Sequence, residues 1–336
     1  MHSQAEQLSV QSEHFIYVDN RQRSAWKRLL WERRHLAKVV RAHHIERIFT
    51  PYQIHTHIDS VSNVIMLRNM EPFTFHKYQY SLKNKIRNKL LKSMTNRCVK
   101  QAEKVIAVSE HVRSHLAASP AEAQKVTRIY HGRDESFSPV ATSDDARILT
   151  NLGIHYPYVF TCGSLLPYRN CEKVIQAYGQ IYQHHLHTRG VRLVVAGKAD
   201  DRSYAAMLQD LICKLDLQDK VIMLGQVNKT SMQTLYRQTS LFVTASETEA
   251  CPNIAIEAMA SGCKIISSEV PPMPEIFSSA AVYYQPEDIA SLACLIRDNI
   301  SYSVPTQASE ALHRAKDFSW LQCADQTFRL LSEAID

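Results

Sequence analysis

The sequence predicts an α/β protein of two domains, each built on a mostly parallel sheet with helices on its faces. Three observations predict it. Short apolar strands alternate with helix-period segments along the chain, the pattern that gives parallel sheets. Residues 240–265 read as one strand–loop–helix–Gly–strand unit: strand Leu241–Thr244, polar turn Ser246–Glu249, helix Ile254–Ala260, then Gly262 and a strand over Lys264–Ser267. Charge also divides the chain: residues 1–150 carry 24 Lys and Arg against 14 Asp and Glu, and residues 151–336 carry 15 against 19. A length of 336 residues suits two domains.

In chain order, Phe15–Val18 reads as a short strand. Residues 24–44 read as a helix with Trp26, Leu29, Leu30, Leu36, Val39 and Val40 on its apolar side. Ile48–Thr50 is a strand stopped by Pro51, and Asn63–Leu67 is the next strand. The polar string Arg68-Asn69-Met70-Glu71 at its end is a candidate part of a site. Residues 81–101 form a basic helix, with Leu82, Ile86, Leu90 and Met94 on one face and Lys83, Lys85, Arg87, Lys89 and Lys92 around it. Two readings of it stand side by side. It is a surface helix packed by its apolar face, or it contacts anionic headgroups or a lipid-linked phosphate. No nucleic-acid partner is expected, because no stacking pattern or recognition motif accompanies the cations. Val105–Ser109 is a strand whose Ser109 caps a helix. Val126–Tyr130 is the last strand of this half, and Ser138–Arg147 reads as a polar linker.

The second half repeats the rhythm: strand Tyr158–Cys162, helix Cys171–His184, strand Val191–Ala196, helix Ser203–Leu215, strand Val221–Gly225 and helix Ser231–Thr239. After the 240–265 unit come strand Ala280–Tyr284, helix Asp288–Arg297 and an amphipathic helix from Ser319, with Trp320, Leu321, Phe328 and Leu331 apolar.

Composition excludes several classes. Apolar content is 45% and charged content 21%, ordinary for a folded domain. No 18-residue apolar run is present, so no bilayer span is expected. The first residues lack a basic region followed by an apolar core, so no signal peptide is expected. Eight cysteines without a Cys-x-x-Cys pair read as reduced thiols, and a cytoplasmic location is expected. The 16 histidines include no His-Glu-x-x-His; His55 and His57 read as a polar loop, and no metal is expected.

The chemistry should sit at the carboxyl ends of the strands. Gly163 and Gly197 end two of them, where a glycine lets backbone approach a ligand or simply makes a turn. Gly-x-Gly-x-x-Gly and the P-loop are both missing, which argues against a dinucleotide dehydrogenase and an NTPase. Arg169 opens a helix six residues after Gly163, where a guanidinium can clamp a diphosphate. Lys198 follows another strand end. Either cation is equally an ordinary surface residue by spacing alone. Glu257 lies in an apolar run and needs a hydroxyl or cation partner, while Glu249 lies in the loop eight positions earlier. The helix start near Asn253 offers free amides to phosphate. Carboxylates and phosphate-binding groups in one cleft suit a nucleotide sugar.

Several segments together resemble the retaining glycosyltransferase family 4, which has the GT-B fold. Glu249-Ala-Cys-Pro-Asn-Ile-Ala-Ile-Glu257-Ala-Met-Ala-Ser-Gly262 resembles its Glu-x7-Glu signature. Val105-Ile-Ala-Val-Ser109-Glu resembles the last strand and helix cap of its first domain. Ile129-Tyr-His-Gly132-Arg-Asp134-Glu-Ser-Phe137-Ser-Pro139 looks like its interdomain signature, and Gly163 to Asn170 like its donor-phosphate loop.

The resemblance implies two Rossmann-like domains facing a cleft, over residues 1–142 and 143–318, with residues 319–336 crossing back to the first. It implies that Arg169 grips the donor diphosphate with the Gly163–Ser164 loop, that Glu257 binds the ribose, and that Glu249 contacts the donor sugar near the reacting carbon. Backbone around Leu224, Gly225 and Val227 should meet the base, and backbone near Pro252, Asn253 and Ile254 the sugar or phosphate. The chain departs from the family pattern in three places. Ser164 stands where an arginine is usual, with Lys198 as the possible substitute. No Gly-rich segment precedes Gly132, so the first domain reads as shortened. Arg68-Asn69-Met70-Glu71 stands where a His-Asp pair is common, and Asn69 and Glu71 are the candidate acceptor- or donor-side contacts there, Asn69 the catalytic one.

The expected activity is metal-independent, retaining transfer of a hexose from a UDP- or GDP-sugar, with no cofactor. The acceptor expected is a polyprenyl-diphosphate-linked glycan of bacterial O-antigen, capsule or exopolysaccharide synthesis, met at an anionic membrane surface through residues 81–101. That places the protein in the cytoplasm, peripheral on the inner face of the membrane. The alternatives are an inactive nucleotide-sugar-binding partner subunit and a transferase with a soluble acceptor.

Overall fold

The computed structural model describes residues 25–59, 61–117, 120–184, 190–300 and 308–333. The expected strand Phe15–Val18 lies outside them. The chain divides into two compact units, Met1–Ile48 with Thr56–Val61, and Phe49–His55 with Ser62–Asp336.

In the first unit the helix expected over 24–44 is interrupted. Ala25–Trp31 and Ala37–Ala42 are α-helix, and Glu32–Leu36 between them is a π-turn. A π-turn adds a residue to the turn and so rotates the apolar positions after it. Val40 is buried, whereas Leu30 on the earlier helix is half exposed.

Strand β1 (Arg47–Thr50) runs from the first unit into the second. It heads a four-stranded sheet in the order β1-β2-β3-β4, with β2 Ser62–Leu67, β3 Lys104–Ala107 and β4 Val126–Arg128. The pairs β2–β3 and β3–β4 are parallel. The second sheet has six parallel strands: β5 Tyr158–Cys162, β6 Arg192–Ala196, β7 Val221–Gly225, β8 Leu241–Thr244, β9 Ile265–Ser268 and β10 Val282–Tyr284. Their order is β10-β9-β8-β5-β6-β7.

Every residue of β8 and β9 is buried, as expected where helices cover both faces of a parallel sheet. The two-residue alternation divides the core. Val159 and Val243 pack with helices Cys171–His184, Arg202–Lys214 and Ile289–Asn299. Phe160 and Phe242 point the other way, into a cluster with helices Lys229–Gln238 and Asn253–Ala260 that continues into the core of the first sheet. These are the two helix-flanked parallel sheets of the GT-B fold.

Three expectations require correction. Helix Leu82–Gln101 does not pack by its apolar stripe. Leu82, Ile86 and Leu90 are 74%, 53% and 48% exposed, and Asn88, Thr95, Cys98 and Val99 face the core. The reason is Glu71, on the short helix Glu71–Thr74 packed against it. This carboxylate is buried and so requires partners. It takes Arg87 Nη2 at 2.9 Å and Asn88 Nδ2 at 3.1 Å, which turns the polar side of the long helix inward.

The C-terminal helix Trp320–Glu333 is likewise rotated. Cys323, Thr327 and Leu330 are buried, while Leu321 and Phe328 are exposed. Its entry is fixed by backbone: Arg133 N–H donates to the Phe318 carbonyl at 3.2 Å, and Arg133 bridges to Ser319. A Cβ on Gly132 would sit 2.0 Å from the Trp320 nitrogen, so only glycine admits this approach. The helix thereby starts against the Gly132–Arg133 segment that follows β4.

Finally, the expected linker Ser138–Arg147 contains the start of a helix, Asp145–Asn151. Buried Asp145 accepts from Arg237 Nη2 at 2.5 Å, Gln238 Nε2 at 3.0 Å, Thr234 Oγ1 at 3.1 Å and the Thr142 hydroxyl and N–H. Those donors hold its carboxyl far below the usual carboxylate range despite the burial.

A second acid ties the two sheets' helices together. Glu275, on helix Met273–Phe277, accepts the N–H of Glu110 at 2.5 Å and of His111 at 3.0 Å. These are orphan donors at the start of helix Glu110–Leu116, where a carboxylate is favoured. Tyr130 Oη donates to the same acid at 2.8 Å, and Arg314 holds the Glu275 and Ile276 carbonyls at 2.6 and 2.9 Å.

All eight cysteines are free. Among the described residues no helix is long and apolar enough to cross a membrane.

Candidate donor site

The candidate residues of the second half gather about the carboxyl ends of β5 to β8, as the parallel topology dictates, whereas Asn69 follows β2. Backbone hydrogen bonds extend beyond the sheet and zip these ends together. Gly163 N–H donates to Ala196 at 2.9 Å, Leu165 N–H to Lys198 at 2.8 Å, and Gly197 N–H to Gly225 at 2.8 Å. Gly163 has φ +128°, and a Cβ on Gly197 would lie 1.8 Å from the Gly163 carbonyl oxygen. Gly197→Ala therefore forces two loop backbones apart. It should lower stability by about 1–3 kcal/mol or more, the cost of overpacking. Thermal denaturation should show this as a lower midpoint, and an unchanged midpoint would contradict the packing.

The loop after β5 closes as a short 3-10 turn, Pro167–Arg169, ending on Asn170 in the left-handed region (φ 48°). Asparagine tolerates that conformation. Its amide then anchors the loop to its neighbour after β8, donating to the Ala245 carbonyl at 3.1 Å and Glu247 Oε1 at 2.7 Å. This geometry folds the Arg169 guanidinium over Gly163. Nη1 lies 2.9 Å from Glu249 Oε1, and the two side chains are 19% and 10% exposed. The ion pair does not satisfy the guanidinium: Nε and Nη1 are buried without a properly angled hydrogen-bond acceptor. Glu249 also accepts from Ser246 Oγ at 2.9 Å. Arg169 and Glu249, 80 positions apart in the chain, thus face one another, with donors left over for an anion.

Glu257 lies in helix Asn253–Ala260 and receives one long hydrogen bond, from Tyr236 Oη at 3.3 Å. Burial raises its carboxyl above the usual range, with that hydrogen bond opposing. The helix begins at Pro252 with no side-chain cap, so its first amides remain available. Leu224 and Val227 flank Gly225 (φ +66°) at the end of β7, half-buried against the shared core.

Other candidates are engaged elsewhere. Lys198 is 63% exposed and pairs with Asp200 at 2.7 Å. Ser164 contributes to holding that same Asp200 in its charged form. Asn69 caps the next turn through Oδ1, which accepts the Glu71 N–H at 2.9 Å. Among the described residues no group of three or more His, Cys, Asp or Glu could hold a metal ion.

Sequence reasoning passed over His131, whose signal was its place one residue before Gly132. It is buried, meets Asn253 Oδ1 at 3.3 Å through Nδ1, and stacks on Trp320 at 5.7 Å. It thereby connects the end of β4, the C-terminal helix and the uncapped helix start. Burial, with Arg68 nearby, lowers its pKa to about 4. The folded protein keeps this imidazole neutral and the unfolded chain does not. Its contribution is complete above about pH 6.5 and is lost as pH falls toward 4, amounting to about 2 kcal/mol between pH 7 and 5. His131→Asn should flatten this part of the stability profile, measured by denaturation at pH 7 and pH 5. An equally steep loss in the variant would assign the acid sensitivity to other groups.

Two family models match this arrangement. Residues 150–313 match "Glycosyl transferases group 1", and residues 3–137 match "Glycosyltransferase Family 4". The chain is thus similar to glycosyltransferases over both of its halves. The O-antigen chain mannosyltransferase RfbU of Salmonella typhimurium is 25% identical over 239 residues, covering 70% of this chain and 60% of that one. O-antigen chain mannosyltransferase B of Escherichia coli is 23% identical over 260 residues, covering 74% of this chain and 65% of that one. The match thus spans less than two thirds of either relative. The structure of Anabaena HepE in complex with UDP-glucose superposes with a TM-score of 0.71 at 22% identity, covering 89% of this chain and 82% of that one. That likeness concerns the fold.

Proposed function

We infer that this protein transfers a hexosyl group from a UDP- or GDP-sugar to a hydroxyl of a lipid-linked glycan, with retention of anomeric configuration. The observation that carries the reading is the buried, under-satisfied Arg169 guanidinium beside Glu249. It lies among the same strand ends as the uncapped helix start at Asn253 and the desolvated Glu257. A sugar diphosphate supplies what each group lacks: phosphate oxygens for Arg169 and the helix amides, ribose hydroxyls for Glu257. The relatives named as O-antigen chain mannosyltransferases, and the HepE complex with UDP-glucose, agree with it.

The mechanism follows from charge. As the glycosidic bond breaks, negative charge builds on the diphosphate, where Arg169 and the helix amides act at the point of greatest benefit. When diphosphate engages the guanidinium, Glu249 is released from its ion pair to hold the donor sugar. The departing phosphate then takes the acceptor proton in a front-side attack. Calorimetry with UDP-, GDP-, ADP- and dTDP-sugars tests the donor part. One nucleotide should bind selectively, and Glu257→Ala should weaken it by about tenfold or more, the value of hydrogen bonds to a charged group. No binding by any donor would refute the reading. A donor-binding subunit without turnover is the second reading, favoured by the Lys198–Asp200 pair and by Asn69 acting as a turn cap. Transfer, or hydrolysis of the bound donor, would exclude it.

The lipid part of the reading rests on helix Leu82–Gln101. Its exposed Leu82, Ile86 and Leu90 recur every four residues, so they form one stripe, and exposed Lys83, Lys85 and Lys89 surround it. An apolar stripe within cations suits the interface of an anionic membrane on the cytoplasmic side. Reversing Lys83, Lys85 and Lys89 to glutamate should abolish flotation with anionic vesicles; Arg87 is spared because it holds Glu71. At about 1 kcal/mol per cation, the three substitutions should cost on the order of a hundredfold in partitioning. Unchanged flotation would remove this helix from the acceptor model.

A further inference from the structure

A second cavity, of about 550 Å³, lies beside the candidate donor site and has no part in the reading above. Tyr78 and Lys77 form one wall; Glu172, Tyr204, Met207 and Glu247 contribute to the others. We propose that it is a saccharide subsite that holds the non-reacting sugars of a neutral acceptor glycan. This deepens the transferase reading and rests on it.

Placement is the first argument. The turn after β8 presents two carboxylates two residues apart, and they have different surroundings. Glu249 meets Arg169, whereas Glu247 lines this cavity. The Glu247 N–H donates to the Tyr168 carbonyl at 2.9 Å, fixing the turn on the phosphate loop between them. The cavity is thus tied through one turn and one loop to the place where Glu249 would hold the donor sugar. The opposite wall is fixed as well: Tyr78 Oη and Thr248 Oγ1 are 2.9 Å apart, and Thr248 donates to Thr74 Oγ1 at 3.0 Å.

Chemistry is the second argument, and it selects against an anion. Two helices begin at this cavity, Cys171–His184 and Arg202–Lys214, but their first amides are already taken. Cys171 N–H donates to Tyr204 Oη at 2.8 Å, and Ser203 and Tyr204 N–H both donate to Asp201 Oδ1 at 3.1 Å. Lys173 is committed to Glu247 at 2.6 Å and the Pro286 carbonyl at 2.9 Å. Glu172, hydrogen-bonded by Tyr204 Oη, is desolvated and carries a raised pKa. The lining thus carries three carboxylates, Glu172, Glu247 and Glu287, against two lysines, Lys77 and the committed Lys173, beside two tyrosine rings. Pyranose hydroxyls donate to such carboxylates, and pyranose faces rest on amphipathic aromatic rings. The volume falls in the range of small-ligand pockets.

The test uses the whole chain and two independent probes. Saturation-transfer NMR is run with mannotriose and maltotriose, and UDP and GDP binding are measured separately by calorimetry. Met207→Trp is introduced at a partly exposed cavity position, where it fills space without touching Arg169, Glu249 or Glu257. At least one trisaccharide should bind, and Met207→Trp should weaken it at least tenfold while the UDP or GDP affinity stays the same. Tyr78→Ala should act in the same direction. Trisaccharide binding that survives both substitutions, or no trisaccharide binding beside normal UDP or GDP binding, overturns the subsite and leaves the donor reading intact. Trisaccharide binding that Met207→Trp removes, with neither UDP nor GDP bound, refutes the donor reading and with it the acceptor role of the subsite. Failure of both probes refutes both.

Discussion

Arg169→Ala is expected to cost about 10²–10³ in turnover and to weaken donor binding severely. The magnitude is that of removing one preorganised donor from a developing anion. Arg169 warrants it because its surroundings leave no substitute. Lys198 points to Asp200, Ser164 carries no charge, and the helix amides are neutral dipoles. Arg169→Lys should recover only part of the loss, since a lysine keeps the charge but not the planar fork. Glu249→Gln provides the contrast. It should retain most donor binding, because the weakened contact to the sugar is offset by loss of a competitor for the guanidinium, while turnover falls. Calorimetry and initial rates on the three variants separate these outcomes. Wild-type donor affinity in Arg169→Ala would place the diphosphate elsewhere.

Asp145→Ala is expected to be the most destabilising single substitution considered, by roughly 3–5 kcal/mol. Asp145 and Arg237 are 6% and 7% exposed. Truncating the acid strands a guanidinium in the interior and leaves Thr234 and Gln238 short of their acceptor. In a protein this size the melting temperature should fall by on the order of 10 °C. Asp145→Ala combined with Arg237→Met should recover much of the loss, because the penalty comes chiefly from the unpaired charge. Equal instability of the single and double variants would show that the pair acts through packing alone.

Asp145 also illustrates what could not be read beforehand. Among polar neighbours, Ser138 to Arg147 reads as linker, and nothing local shows that one acid turns inward to a cation 92 positions away. Helix Leu82–Gln101 makes the same point with opposite sign. Its apolar positions are regular, yet the buried face was chosen by Glu71, a residue outside the helix. The C-terminal helix was turned by the backbone contact at Gly132 rather than by its own periodicity. His131 was visible as a residue but not as a buried one.

By itself the sequence indicated the strands of both sheets among the described residues, most of the longer helices between them, and the mostly parallel character of the sheets. Those follow from periods of 2 and 3.6 and from turn residues, which are local properties. Its resemblance to a family signature singled out Glu249 and Glu257, and the resemblance of Gly163 to Asn170 to a phosphate loop singled out Arg169. Only the tertiary structure decided that Arg169 faces Glu249, that Lys198 turns away to Asp200, and which faces of the two outer helices meet the core. The physical reason is that a buried charge takes its partner from whatever the fold brings near, and a helix with two usable faces is turned by its neighbours.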